Sequence, residues 1–433
     1  MKASISLFTL MSGGLVNSAV ADVLKHGSPE SVGLLTKPLK EMETNLSRYT
    51  VPADYGSSTY NNVHPIQPGG SVIVGHESTI VSSFAFGNTS LYADSNGTLL
   101  PKDEWTPTKV DTIYDMASLT KVFTAVAALR AMDDGKLELE KTVASYMPEF
   151  AANGKENVTV RMLLTHTSGF PADPQPGLYS PKYKTMEQRV DNIIHYPLED
   201  APGAKYRYSD LNFMNLRYLL ERVNGRSMEE LIHSFTSPLG MTSTFYNAGN
   251  KPPAQVSQYD RMAPTEYQIE VLGDDEPQRP QPVRGTVHDE NAWALDGVSG
   301  HAGLFSTAPD VAKLCQMIIN NGTYGGKRIL SRKSVDMMFT NFNEKFPGDG
   351  HSIGFELNQY YFSGPMASVL TGGHTGFTGT TLVVDRPSQT FFVMLAHRVY
   401  PNREWSSNNI VREALGYWVA RSLGRDASFP SLD

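Results

Sequence analysis

The chain has 433 residues, 40% of them hydrophobic and 19% charged, with a formal net charge of −8. That is ordinary globular composition, with enough chain for two or three domains or one large one. No basic cluster points to nucleic acid or an anionic membrane surface, no run beyond the first residues is long and apolar enough to cross a bilayer, and small neutral substrates are as compatible with the charge as any.

Residues 1–21 carry the three parts of a secretory signal. Lys2 supplies the positive end, Ala3 to Val16 the apolar stretch, and Ser18-Ala19-Val20-Ala21 the small residues before Asp22. A secreted protein is expected, extracellular or, in a bacterium, periplasmic. Asn-x-Ser/Thr sites at Asn45, Asn88, Asn96, Asn157 and Asn321 would then be open to glycosylation in a eukaryote. Cys315 is the only cysteine, which excludes an internal disulfide and a cysteine metal cluster. It sits in an apolar helical pattern, where a buried inert thiol is expected.

Residues 30–50 predict a first helix with Leu34, Leu35, Leu39, Met42 and Leu46 along one face. Ser71–Gly75 and Thr79–Phe86 predict a hairpin turning at His76-Glu77-Ser78, followed by a polar loop over 88–110. Val122 to Met132 predicts a helix that Asp115 can cap and Gly135 can end in a left-handed turn. Further helices are expected over Val160–Leu164, Leu211–Val223, Ser227–Phe235 and Pro309–Asn320, the last opened by the capping-box pair Thr307 and Asp310. Prolines and charges over 247–290 predict a surface excursion. Ser352–Tyr361, Ala367–Leu370, Thr380–Asp385 and Thr390–Ala396 read as strands, and Asn408–Leu423 as a closing helix. The expected fold is therefore α/β in the α+β sense, with an antiparallel sheet built from both ends of the chain and flanked by terminal helices. Residues 22–110 and 351–433 would form the sheet domain, and 111–350 a mostly helical domain carrying the Ser118 helix to a crevice between them.

Ser118 and Lys121 form the chain's only Ser-x-x-Lys. Residues three apart share a helix face, so an amine would lie beside a hydroxyl in the first turn. A buried lysine could take the serine proton, and the free N–H groups of that turn favour negative charge developing there. Alone, the motif also describes the start of an ordinary surface helix. Two other segments have equally plain readings. In Tyr208-Ser209-Asp210, Tyr208 could be a helix-entry aromatic with Ser209 or Asp210 as N-cap. In Gly373-His374-Thr375-Gly376-Phe377-Thr378-Gly379 the glycines could serve only as turn residues.

Taken in order, Ser118-x-x-Lys121, Tyr208-x-Asp210 and His374-Thr375-Gly376 resemble the serine β-lactamase and penicillin-binding-protein superfamily, nearest its class C-like branch of esterases, D-aminoacyl peptidases and transesterases. Val160–Gly169 and Gly297–Thr307 extend the likeness, which covers roughly residues 30–425. The resemblance implies a β-lactamase/transpeptidase-like fold and an acyl-enzyme on Ser118, with Lys121 as base or fixed charge and Tyr208 shuttling the proton. It also implies an oxyanion hole from the N–H groups of Ser118 and Phe377, and substrate contacts from Asp210, His374, Thr375 and Gly376. Asp210 stands where class C enzymes usually carry asparagine; it could orient Lys121 but cannot donate to a substrate carbonyl when ionised. His374 replaces the lysine of Lys-Thr-Gly, which weakens attraction for a substrate carboxylate and favours an ester or uncharged amide. If His374 meets the substrate, an ionisation near about 6.5 is expected in the pH–rate profile.

The expected function is a secreted serine hydrolase, esterase-like or β-lactamase-related, acting on a small acyl substrate (ester, amide or peptide). A D-aminoacyl peptidase, DD-carboxypeptidase or acyltransferase would use the same machinery, and a binding or sensing protein that keeps the fold without turnover is the non-enzyme alternative. The histidines show no His-x-x-x-His or His-Glu-x-x-His spacing, so no metal site and no cofactor are expected. His166 reads as a loop fastener. His301 is either a neighbour of the site or structural, and Tyr179 and Trp293 either line a pocket or pack. The sequence sets no oligomeric state.

Overall fold

The computed structural model describes residues 23–60, 63–268 and 279–430. The leader-like segment 1–21 and residues 269–278 of the proline-rich excursion lie outside the described residues.

The frame is an eight-stranded sheet: β1 (Lys25–His26), β2 (Gly69–His76), β3 (Thr79–Ser90), β4 (Thr106–Pro107), β5 (Glu356–Leu357), β6 (Thr371–Thr375), β7 (Thr381–Asp385) and β8 (Thr390–Ala396). They run in the order β1-β3-β2-β8-β7-β6-β5, with β4 added to β3. Every pair is antiparallel except β1 with β3. The central seam joins β2 to β8, from Thr390 opposite His76 to Ala396 opposite Gly70.

Strand periodicity sorts the core. Side chains alternate between faces, so the continuous apolar run of β8 can be buried on both sides. Phe391, Val393 and Leu395 join Ile73 and Leu382 on one face, against helices α2 (Thr120–Asp133) and α5 (Ala308–Ile319). Phe392 and Met394 join Val72, Val74 and Val383 on the other, against α1 (Thr36–Asn45) and the closing helix α6 (Asn409–Ser422). Each fully buried side chain of this size is worth about 1.5–3 kcal/mol. Between the two stretches that supply the sheet lie, among others, α3 (Val160–Leu164) and α4 (Asp210–Asn224). Helix α2 is buried nearly all round, Val122, Phe123, Ala125, Val126 and Leu129 having no measurable exposure, because α4 and the helical segments Met228–Thr236 and Arg332–Met337 pack against it.

Four expectations change. The strand foreseen over Ser352–Tyr361 is a ladder only at Glu356–Leu357, and a short helix, Tyr360–Ser363, begins before that stretch ends. The helix foreseen over 30–50 is α only over Thr36–Asn45, with 3₁₀ turns at Pro29–Val32 and Leu46–Thr50. The strand foreseen at Ala367–Leu370 is a turn, and the ladder instead runs through the glycine-rich Thr371–Thr375. Glycines weaken strands in isolation, but here they are required by contact. A Cβ at Gly372 would lie 2.6 Å from the Phe355 ring, and one at Gly373 2.5 Å from Leu382 O and 2.7 Å from the Phe362 ring. Finally, the excursion over 247–290 is not all surface. Met262, Ala263, Thr265, Glu266, Val283, Val287 and His288 are buried, because Glu266 meets His288 and Arg403 internally.

Gly373→Ala is therefore expected to destabilise the fold by about 1–3 kcal/mol, the usual cost of overpacking. A lowered urea midpoint at unchanged m-value checks it, and an unchanged midpoint would show that β6 can shift to make room.

Candidate active site

Asp115 and Met116 bring the chain to Ser118 through a tight turn. Ala117 has φ +44, a left-handed conformation uncommon for a side chain with a Cβ. Its N–H donates to Asp115 Oδ1 at 2.8 Å, and Asp115 Oδ2 accepts from His288 N at 2.6 Å. Asp115 thus fixes the turn before Ser118 and does not cap α2 itself. A 3₁₀ turn, Ala117–Leu119, leads directly into that helix.

The opposite wall is the loop after β6. Thr378 Oγ1 donates to Asp115 O at 2.8 Å and Thr380 Oγ1 to Met116 O at 2.9 Å. Gly376 lies against this turn so closely that a Cβ there would fall 2.1 Å from Thr380 Oγ1 and 2.5 Å from Met116 O. Gly376 accordingly sits behind the cleft while Thr375 and Phe377 line it. The Phe377 N–H makes no hydrogen bond among the described residues. The Phe377 carbonyl accepts from Arg398 Nε at 2.9 Å and its ring stacks on His288, which holds that peptide in place.

Lys121, Tyr208 and Asp210 converge on Ser118. Lys121, with no exposed surface, donates from Nζ to Ser118 Oγ at 2.9 Å and to His301 O at 3.2 Å. Asp210 Oδ1 lies 2.6 Å from the same Nζ, an internal ion pair. The Tyr208 ring centroid is 4.8 Å from the Lys121 ammonium, and its phenol neighbours Ser118 on the wall of the cleft. Burial, and then the Asp210 charge, push the Tyr208 phenol well above its ordinary value, so it stays protonated at rest. His166 backs the phenol. Its ring stacks on Tyr208 at 4.4 Å between centroids, while Nδ1 accepts from Ser209 N at 3.0 Å.

His374 is 2% exposed and borders the cleft. Its Nδ1 lies 2.7 Å from Thr375 O, and because a carbonyl only accepts, Nδ1 carries the hydrogen and Nε2 is a lone-pair acceptor. Burial, and then the Lys121 charge, push this imidazole down to about 3. The titration near 6.5 expected of it from sequence is thereby corrected.

The cleft encloses about 720 Å³, within the range of small-molecule sites. Several of its groups carried no signal in the sequence. Asp173 and Glu356 line it, both pushed up to about 7, Glu356 by burial and Asp173 by burial and the charges of Asp210 and Asp289. Asp173 lies in a Pro-rich loop with no motif, and Glu356 in a short strand. Asp289 stands in a His288-Asp289-Glu290 run that matches no catalytic motif. His301 does neighbour the site: Nδ1 is 2.7 Å from Ser299 Oγ, and Nε2 3.0 Å from Asp289 Oδ1. Against burial, the Asp289 and Asp210 charges push His301 up, and burial likewise opposes the His301 charge that holds Asp289 below the usual carboxylate range. Asp210, Asp289 and His301 present ligand atoms within 4.8 Å of one another, but the ion pairs with Lys121 and between His301 and Asp289 already engage them. Tyr179 lines the cleft; Trp293 packs beside Val287, Ala292 and Ala302.

A sheet with helices on both faces and a serine, lysine and tyrosine meeting at a cleft define the β-lactamase/transpeptidase-like fold. Residues 65–416 match the Beta-lactamase family, and the chain belongs to that family. It is 32% identical over 402 residues to "Putative D-alanyl-D-alanine carboxypeptidase" of Escherichia coli (strain K12), an alignment covering 88% of this chain and 87% of that one. Among solved structures it is similar to EstCE1, a hydrolase with promiscuous acyltransferase activity, with TM-score 0.62 and 21% identity over 87% of this chain and 99% of that one. It also resembles a family VIII carboxylesterase, with TM-score 0.61 and 23% identity over 82% and 93%.

His374, His351 and His397 are pushed from 6.5 down to about 3, 4 and 3, in each case first by burial. Below pH 6.5 the unfolded chain binds protons there that the folded chain refuses, so stability is present above that value and is lost as pH falls towards 3. The urea midpoint is expected to drop between pH 6.5 and 4, with His397→Asn flattening the slope; an unchanged slope would mean that this ring is charged in the fold.

Proposed function

We propose that the protein is a serine acyl hydrolase that forms an acyl-enzyme on Ser118 from an ester or amide. One observation carries the reading: Ser118 Oγ accepts from the buried Lys121 ammonium at 2.9 Å, with the Tyr208 phenol lining the same cleft beside it. Attack on the substrate carbonyl forms the Oγ–C bond. The serine proton passes to the Tyr208 oxygen while the phenolic proton moves on to the leaving oxygen or nitrogen. Tyr208 thus exchanges one proton for another and never has to rest as phenolate, which suits its burial. Lys121, held by Asp210, supplies a fixed positive charge beside the reacting hydroxyl. The N–H groups of Ser118 and Phe377 take the developing oxyanion. Water entering along the same relay in reverse releases the acid. The leader-like residues 1–21 support an exported enzyme.

A second reading, D-alanyl-D-alanine carboxypeptidase, draws its support from the name of the 32%-identical relative. Hydrolysis of D-alanyl-D-alanine peptides measured beside a panel of simple esters and amides decides between the two.

A fluorophosphonate probe is expected to label Ser118 and to leave Ser118→Ala unlabelled. Tyr208→Phe should lower kcat/KM for a nitrophenyl ester by about 10²–10⁴, the usual worth of positioned proton transfer. Labelling that survives Ser118→Ala would refute the assignment.

A further inference from the structure

The cleft's polar groups are unbalanced in sign. Its guanidinium, Arg403, is already engaged by Glu266 at 2.6 Å and Glu290 at 2.7 Å. The nearby ammonium of Lys121 has no exposed surface and is taken up by Asp210, Ser118 and His301 O. Among the described residues no cation lining the cleft is left over to receive an anion.

Acceptors, in contrast, are in surplus. Asp289 uses Oδ1 for both of its bonds, from Ala292 N at 2.7 Å and His301 Nε2 at 3.0 Å, and its Oδ2 takes none among the described residues. The Asp173 carboxylate, on the same cleft, makes no hydrogen bond or ion pair among them. A separate group repeats the pattern from the sheet side. His374 Nε2 is buried, borders the cleft as an acceptor, and has no partner among the described residues. Leaving a buried acceptor unmet is costly, so such groups ordinarily meet a ligand or water.

We propose that Asp173 and Asp289 form a subsite for a protonated amine on the substrate, and that His374 Nε2 accepts a hydrogen from the same molecule, so that the cleft favours cationic substrates over carboxylate-bearing ones. This rests on the hydrolase reading for turnover, though not for binding. The charged groups facing Asp173 are Asp210, Asp289, His301 and Lys121, and with burial the two acids hold its carboxyl up to about 7. An arriving ammonium favours the ionised form. Near pH 7 about half of the Asp173 carboxyls are protonated, so amine binding releases a fraction of a proton per site.

The test uses full-length Ser118→Ala protein, which binds without turnover, titrated calorimetrically at pH 7 with ω-aminoalkanamides of two to six carbons and with the matching alkanamides. Buffers of different ionisation enthalpy report protons released. At least one amine is expected to bind tenfold or more tighter than its uncharged match and to release a fraction of a proton. Asp173→Asn in the same background should lose the release and most of that preference. On the Ser118-bearing enzyme, nitrophenyl esters should rank in kcat/KM as amine-bearing, then neutral, then carboxylate-bearing. Equal binding of amine and alkanamide, or a preference unchanged by Asp173→Asn, overturns the subsite. If neutral esters are still hydrolysed through Ser118, the hydrolase reading stands without it. If the amine binds with proton release while fluorophosphonate never labels Ser118, the subsite stands and the hydrolase reading falls.

Discussion

Two hydroxyl-to-carbonyl bonds organise this molecule. Thr378 and Thr380 donate to the carbonyls of Asp115 and Met116, pinning the loop after β6 onto the turn that presents Ser118. One side of that seam belongs to the sheet and the other leads into the central helix. Each bond is worth only about 1 kcal/mol net. Their importance lies in geometry: with Gly376 pressed against Met116 O, they fix where the Phe377 peptide stands relative to Ser118. Asp115 and Arg398 hold the two halves from behind, one through Ala117 N, the other through Phe377 O.

Around that seam the charges are paired inside the protein and not left to solvent. Removing an ion pair from water costs several kcal/mol per ion unless the remaining donors and acceptors are met. Lys121 meets this condition through Asp210, Ser118 and His301 O, and Glu266 through His288 and Arg403. The neutral groups complement them: a protonated phenol at Tyr208, and an uncharged imidazole at His374 whose tautomer is set by its own neighbour's carbonyl. The result is a group around Ser118 whose proton positions are dictated by partners, while Asp173 and Glu356 on the same cleft are left to titrate near neutral pH.

Much of this could be read from the residues. Long, strongly periodic segments gave their elements nearly to the residue: Thr390–Ala396 as a strand, Val160–Leu164 and the stretch from Asp210 to Asn224 as helices, and the turn at Gly135, which has φ +70. The ordered triple of motifs pointed to Ser118, Lys121, Tyr208 and Asp210, and these do come together. What escaped depends on contacts between distant segments. Glycines in Thr371–Thr375 look like turn residues until Phe355 and Phe362 are known to lie on them. Charges at 262–290 look solvated until Glu266 is seen to meet Arg403. Asp173 and Glu356 belong to no local pattern at all, since a carboxyl lining a cleft has the same sequence signature as one on the surface.

The pairing of β2 with β8 joins residues more than three hundred positions apart. Loops that long must be closed before such contacts can form, so this seam is late by nature. During synthesis Ser118, Lys121 and Tyr208 all emerge before the loop that completes their surroundings. An unfinished chain therefore carries Ser118 without the second wall and the Phe377 amide. The cleft is whole only when the last strands zip onto the first ones.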